Sequence, residues 1–317
     1  MFVKIFKRVN IQTVITSFFL VFFASLFINY CISFGVISQE LVFRTIWTTF
    51  LFMGFAVFIA LLEAKKLNTV FVAIHLLSFP LIILLYSNEG GLNAQKIMYG
   101  IALLFALNIY TREFKQKQPT KEIFILGVII SIISFFNYNF ALFYIVPALF
   151  FIEPQYRRLR NVIILLTAIL FTTQFLMIGS KFFTGNFLYE NISLAQSNFP
   201  ETLSNRKAEF LWVSVVIISL LIAVFFRPEQ YRYIAGKNKV FRSLQFMLVW
   251  LIISILFRYL NLYQGNEKWA LSFIPTAFFI GLGLDYIKNK LTKELIIIAI
   301  IIFAIFFNLY QFNLIPF

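Results

Sequence analysis

Long apolar runs separated by short, mainly basic segments follow one another along the whole chain. A helix crossing a hydrocarbon core of roughly 30 Å needs about 20 predominantly apolar residues, a length that tilt and packing can shorten. Runs of this kind lie at Thr13–Val36, Ile46–Leu62, Leu67–Tyr86, Gln95–Tyr110, Ile123–Phe136, Phe140–Ile152, Val162–Gly179, Phe210–Phe226, Leu244–Leu260, Trp269–Ile287 and Leu295–Gln311. None alternates with the period of two that marks a half-buried strand. The pattern predicts an all-α polytopic transmembrane bundle of about eleven spans. No linker, repeat or soluble insertion interrupts it, so residues 1–317 read as a single transmembrane domain.

Composition strengthens that reading. Apolar residues make up 61% of the chain and charged residues 13%, with a mean hydropathy of +0.88. A soluble domain is about 45–50% apolar and about 25% charged, and a chain of this size has too little interior to hide the excess. The abundance of Phe, Ile, Asn and Lys is the bias of an A/T-rich bacterial genome. Cys31 stands alone inside the first run, which excludes a disulfide framework and a cysteine metal site. The basic start, Met1 to Gln12, precedes a run too long for a signal peptide and lacks a small-residue cleavage site; it reads as a retained first span.

A net charge of +14 on a soluble protein would point to nucleic acid. Here the charges fall in the connecting segments and set orientation instead. With the N-terminus in the cytoplasm and the C-terminus outside, Arg44, Lys96, Lys181, Arg206, Lys207, Arg258 and Lys268 lie on the outer side, and the remaining 20 of the 27 Lys and Arg residues lie inside. That split is what the positive-inside rule requires and gives no role to nucleic acid. The expected location is a bacterial inner membrane.

Residues 123–152 form a nearly continuous apolar stretch with Asn137-Tyr138-Asn139 at its middle and basic flanks on both sides. Equal flanks exclude a single crossing. The segment is either two short spans or a re-entrant hairpin with its Asn-rich tip buried in protein.

Orientation directs attention to the outer face. Its largest loop is residues 180–208, and the shorter pieces carry Glu40 with Arg44 one helical turn on, Glu89, and the run Arg258-Tyr259-Leu260-Asn261-Leu262-Tyr263-Gln264-Gly265-Asn266-Glu267-Lys268-Trp269. Glu40 and Arg44 have the spacing of a helical ion pair, and Trp269 and Tyr263 suit an interfacial aromatic belt. Arg258 ends a strongly apolar run on the side that basic residues otherwise avoid, where it either snorkels or meets an anionic partner. The cytoplasmic segments hold no Gly-rich phosphate loop, and the chain has no HExxH, GxSxG or SxxK pattern and no metal-ligand cluster. His75 is the only histidine and reads as packed core. Asp285, the only aspartate, lies at the inner end of the tenth run, so the acidic relay of an ion-coupled transporter is missing.

What remains for chemistry outside is a carboxylate to act as base and cations to hold a phosphate leaving group. Glu40 and Glu267 are the candidate catalytic groups. Arg44, Arg206, Lys207, Arg258 and Lys268 are the candidate substrate-binding groups. No metal or cofactor is called for.

This layout resembles the polytopic GT-C-type glycosyltransferases in its cytoplasmic N-terminus, acidic first external loop, paired short helices in the middle and larger external loop. The resemblance implies a polyprenyl-phosphate-linked sugar as donor, Glu40 as base, and Arg258 and Lys268 as the phosphate-holding cations. The chain, notably through Glu267-Lys268-Trp269-Ala270-Leu271-Ser272-Phe273-Ile274-Pro275, also resembles a polytopic inner-membrane family of Bacteroidota, which brings no activity with it. Two other functions fit the same topology. One is a non-enzymatic scaffold or accessory subunit of an envelope or secretion complex, with membrane-protein partners. The other is a lipid or small-molecule transporter with a path lined by His75, Asn108 and Gln174.

Overall fold

A computed structural model of the chain describes residues 11–32, 39, 42, 45, 46, 49, 50, 94–111, 119–152, 156–184, 213–222, 237–259 and 272–311. Among them every regular element is helical and there is no strand. The helices are α1 (Ile11–Ile32), α2 (Ala94–Tyr110), α3 (Thr120–Phe136), α4 (Leu159–Thr184), α5 (Val213–Ile222), α6 (Lys237–Tyr259), α7 (Phe273–Tyr286) and α8 (Lys290–Gln311). Between α3 and α4 runs a return arm of three short pieces: a 3-10 helix at Tyr138–Tyr144, an α turn at Ile145–Leu149 and a 3-10 turn at Phe150–Ile152. The third apolar run, Leu67–Tyr86, and most of the second lie outside the described residues.

Contacts divide the chain into two compact units. The first comprises 1–97, 199–235 and 266–317, and the second 98–198 and 236–265.

In the first unit α7 is the buried element: Ile274, Ala277, Phe278, Phe279, Leu282 and Leu284 are all enclosed. Gly283 lets α5 come close, because a Cβ there would stand 2.8 Å from Ile222 Cδ1. Helix α1 buries Thr13, Ser17, Val21, Ala24 and Ser25 along one stripe and exposes Ile15, Phe19, Phe23 and Tyr30 on the other side. The buried stripe is thus less apolar than the exposed one, the reverse of a helix that faces water.

The second unit is built around α3. Its buried positions, Ile123, Leu126, Gly127, Ile130, Ser131, Ile133, Ser134 and Phe135, fall on one face at helical spacing. Helix α4 packs on that face at Gly127, where an added Cβ would lie 2.9 Å from Ala168 Cβ and 3.2 Å from Leu165 Cδ1. The small residue is what allows this approach.

Helix α3 stops at Asn137, which turns extended at φ −149 and ψ 104. Its side-chain oxygen accepts a hydrogen bond from the Asn139 amide at 3.1 Å, and its carbonyl accepts one from the Phe140 amide at 3.0 Å. This Asx-type turn reverses the chain. The Ser131 and Tyr144 hydroxyls, on either side of the reversal, then meet at 2.7 Å. The apolar stretch 123–152 is therefore a helical hairpin hinged at its Asn-rich middle.

The 3-10 part of the arm presents its rings to α6 and α2. Residues three apart eclipse in a 3-10 helix, so Phe140 and Phe143 stack with centroids 5.8 Å apart at 19°. Phe140 reaches Phe257, and Phe143 reaches Trp250, on α6. Tyr99 of α2 closes on Phe140 at 4.6 Å.

Helix α4 is the one described helix long and apolar enough to cross a membrane, over Leu159–Phe182. Shorter apolar helices of 10–17 residues occur at Gln12–Phe27, Tyr99–Tyr110, Asn139–Leu149, Val213–Ile222, Arg242–Phe257 and Ile274–Leu284.

Candidate functional site

Helix α6 encloses an arginine near its start. Arg242 is 3% exposed, although the hydropathy pattern assigns it to the polar segment before the ninth run. Its guanidinium lies over two rings, 5.5 Å from the Phe150 centroid and 5.9 Å from that of Tyr156. Both rings belong to the end of the return arm and the turn that follows it. A guanidinium is weakly hydrated and planar, so aromatic faces can replace part of its water.

The surrounding groups are fixed by their own bonds. Tyr110, 2% exposed at the end of α2, packs on Phe150 at 4.8 Å and donates its hydroxyl to Gln245 Oε1 at 3.1 Å. Phe246, one turn beyond Arg242, meets both Tyr110 and Trp250. Asn161 of α4 donates its side-chain amide to the Tyr156 carbonyl at 2.8 Å, and Arg157 Nε donates to the Phe151 carbonyl at 2.8 Å. The arm, α2, α4 and α6 are thereby tied together at one end of the second unit. The arrangement holds a permanent cation in place.

Further along α6, Trp250 is fully enclosed, and among the described residues neither its indole Nε1 nor the enclosed Ser134 hydroxyl on α3 has a hydrogen-bond partner. Other buried hydroxyls bond to the carbonyl four residues earlier: Ser131 to Gly127, Ser254 to Trp250, Ser219 to Val215 and Thr276 to Ser272, each at 2.7–2.8 Å. Such i−4 bonding is how hydroxyls are accommodated in an apolar setting.

Of the candidate residues that the sequence assigns to the outer face, Glu40, Arg44, Arg206, Lys207, Glu267 and Lys268 lie outside the described residues. Arg258 is in the last turn of α6, one residue before its end. Nothing described brings these candidates together. His75 also lies outside the described residues, Asn108 is half-buried on α2 and Gln174 is exposed on α4. Among the described residues no group of His, Cys, Asp or Glu could hold a metal ion.

The Arg242 cluster is the feature that sequence reasoning missed. Its signal is present in the chain: Arg242, Phe246, Trp250 and Phe257 recur at helical spacing, which extends an aromatic face of α6 back into the basic segment. Comparisons with family models, with curated proteins and with solved structures find no match to this chain.

Proposed function

We propose that the chain is a multi-pass inner-membrane protein of envelope biogenesis, with its N-terminus inside and its C-terminus outside. The observation that carries this reading is the surface of α4. Ile163, Leu166, Leu170, Phe171, Phe175, Ile178 and Phe182 are all exposed, and only 17% of the most apolar window of the helix is buried. Water does not tolerate so large a continuous apolar face; lipid does. Charged residues bracket it, since residues 161–180 carry none and lie between Arg160 and Lys181. A helix of that length rises about 30 Å, the thickness of a hydrocarbon core.

The hairpin fits the same frame as two short spans. Helix α3 rises about 25 Å, and the return arm, lengthened by its 3-10 pieces, rises roughly 27 Å. Asn137 then stands at the outer surface. In intact cells an Asn137→Cys variant is expected to react with a membrane-impermeant maleimide added from outside. Labelling only after the inner membrane is permeabilised, or none at all, rules out the two-span arrangement in favour of a hairpin entering from the cytoplasm.

For activity we propose transfer from a polyprenyl-phosphate-linked donor at the outer face, with Glu40 as base, Glu267 as the second carboxylate and Arg258 and Lys268 holding the phosphate. Support comes from the layout shared with GT-C-type enzymes and from the ionisable groups at the outer ends of the spans. A carboxylate base typically supplies 10²–10⁴-fold in rate. Glu40→Gln and Arg258→Ala are therefore expected each to lower incorporation of labelled sugar into envelope polymer by at least about 100-fold, at unchanged protein level. Full incorporation by Glu40→Gln, Arg258→Ala and Glu267→Gln alike would sink the enzymatic reading.

A further inference from the structure

The start of α4 presents Arg157, Arg158 and Arg160 within four residues, all three exposed. Arg157 is partly engaged, its Nε donating to the Phe151 carbonyl, which fixes the turn from which the other two project. Lys121 is exposed near the start of α3. Gly127 of α3 abuts Leu165 and Ala168 of α4, and the hairpin returns the chain before α4 begins, so Lys121 stands at nearly the level of Arg160. Among the described residues, the acid beside these four cations is Glu122, half-buried on α3, so the described part of this end is positive.

The apolar face begins directly below this charge. Arg160 shares its helical position with Phe171 and Ile178, eleven and eighteen residues on, and both of those side chains are exposed. Leu159, Val162, Ile163, Leu166 and Leu170 continue the exposed surface around the helix. One molecule therefore sees guanidinium forks at one level and more than 20 Å of hydrocarbon surface beneath them.

We propose that Arg158 and Arg160, with Arg157 beside them, seat the phosphate of an anionic phospholipid whose acyl chains lie along the exposed face of α4. This rests on the membrane reading above and adds to it a headgroup site of stated chemistry. Guanidinium forks match phosphate oxygens in bidentate fashion, where an ammonium offers only a point charge. A free phosphate or a nucleic acid would meet the arginines and leave the apolar face uncovered. A zwitterionic lipid would cover that face but bring its own ammonium to a site that is already positive.

The test uses the purified full chain in neutral dodecyl maltoside micelles doped with phosphatidylglycerol or with phosphatidylcholine. Phosphatidylglycerol is expected to raise the melting temperature of the wild type by at least about 3 °C more than phosphatidylcholine does. R158Q/R160Q is expected to lose most of that difference while melting like the wild type in phosphatidylcholine. K288Q/K290Q, which removes exposed charges at the start of α8, is expected to keep it. R158K/R160K, a milder change should R158Q/R160Q fold poorly, is expected to keep about half, because charge remains and the fork does not.

Equal shifts with the two lipids, a full difference in R158Q/R160Q or in R158K/R160K, or an equal loss in K288Q/K290Q would overturn the site. So would inorganic phosphate alone reproducing the wild-type shift. Failure of the membrane reading shows separately, as release of the wild-type chain from membranes by alkaline carbonate.

Discussion

Gly127→Leu is expected to abolish accumulation of the folded protein, and Gly127→Ala to lower its stability by about 1 kcal/mol. The two changes act at the closest approach of α3 and α4. An alanine Cβ at 127 would sit 2.9 Å from the Ala168 Cβ, and Ala168 is fully enclosed. A methyl fixed to a helix backbone cannot rotate away, so the helices must separate. Overpacking of this kind costs about 1–3 kcal/mol, and alanine recovers about 1 kcal/mol through its better helix propensity. Leucine adds a branched side chain to the same contact and gains nothing further.

The damage would also spread along α3. The Ser131 hydroxyl bonds to the Gly127 carbonyl and meets Tyr144 of the return arm, so a shift at 127 disturbs the hairpin. Thermal unfolding in detergent, followed by retention of monodisperse protein on gel filtration, measures both variants. G127A/A168G is the decisive control. Removing the opposing methyl relieves the clash, and the pair should show a favourable coupling of about 1 kcal/mol. Strict additivity would mean that the close approach does not limit this interface.

The helical content was legible because apolar runs of this length leave few alternatives. Helix α2 is the clearest case: Gln95–Tyr110 against an observed Ala94–Tyr110, since charged residues bound the run on both sides. Helix α6 shows what hydropathy cannot see. Its run begins at Leu244, whereas the helix begins at Lys237. Lys237, Lys239 and Arg242 lower the average over those residues, yet rings contributed by the return arm bury Arg242. That burial depends on a fold partner nearly a hundred residues away, which no local window contains.

The return arm was legible as an apolar run and as half of a hairpin, but its 3-10 form was not. The stack of Phe140 on Phe143 against Trp250 and Phe257 is a tertiary contact with a helix about a hundred residues on. The outer-face candidates were chosen by their place at the ends of spans. Arg258 alone falls within a described helix, and convergence of Glu40, Arg258 and Glu267 on one site belongs to the proposal.

Arg242→Ala is the second change expected to have a large effect, at about 3 kcal/mol, and the series of substitutions at this position separates charge from packing. Two terms are lost together. Cation–π contacts of a desolvated guanidinium are worth about 0.5–2 kcal/mol each, and Arg242 faces two rings. Its aliphatic stem is enclosed with the guanidinium, and truncation leaves a cavity there. Lysine keeps the charge and most of the stem but loses the planar face, so Arg242→Lys should cost about 1 kcal/mol. Methionine keeps the stem without the charge and should fall between lysine and alanine.

If packing alone held the site, methionine would match or exceed lysine; the order of the two variants therefore decides which term dominates. Phe150→Leu supplies the cross-check, since it removes one ring and keeps apolar volume. Combined with Arg242→Ala it should cost about 1 kcal/mol less than the sum of the single changes, because the second substitution has a contact fewer to break. Under the proposed activity, the same series should leave sugar transfer in membranes proportional to folded protein. Arg242 touches the arm and its turn, on the side that the proposed topology assigns to the cytoplasm, whereas the proposed chemistry is at the opposite surface. A variant that folds fully and still loses transfer would connect the two surfaces through α6, which carries Arg242 near its start and Arg258 in its last turn.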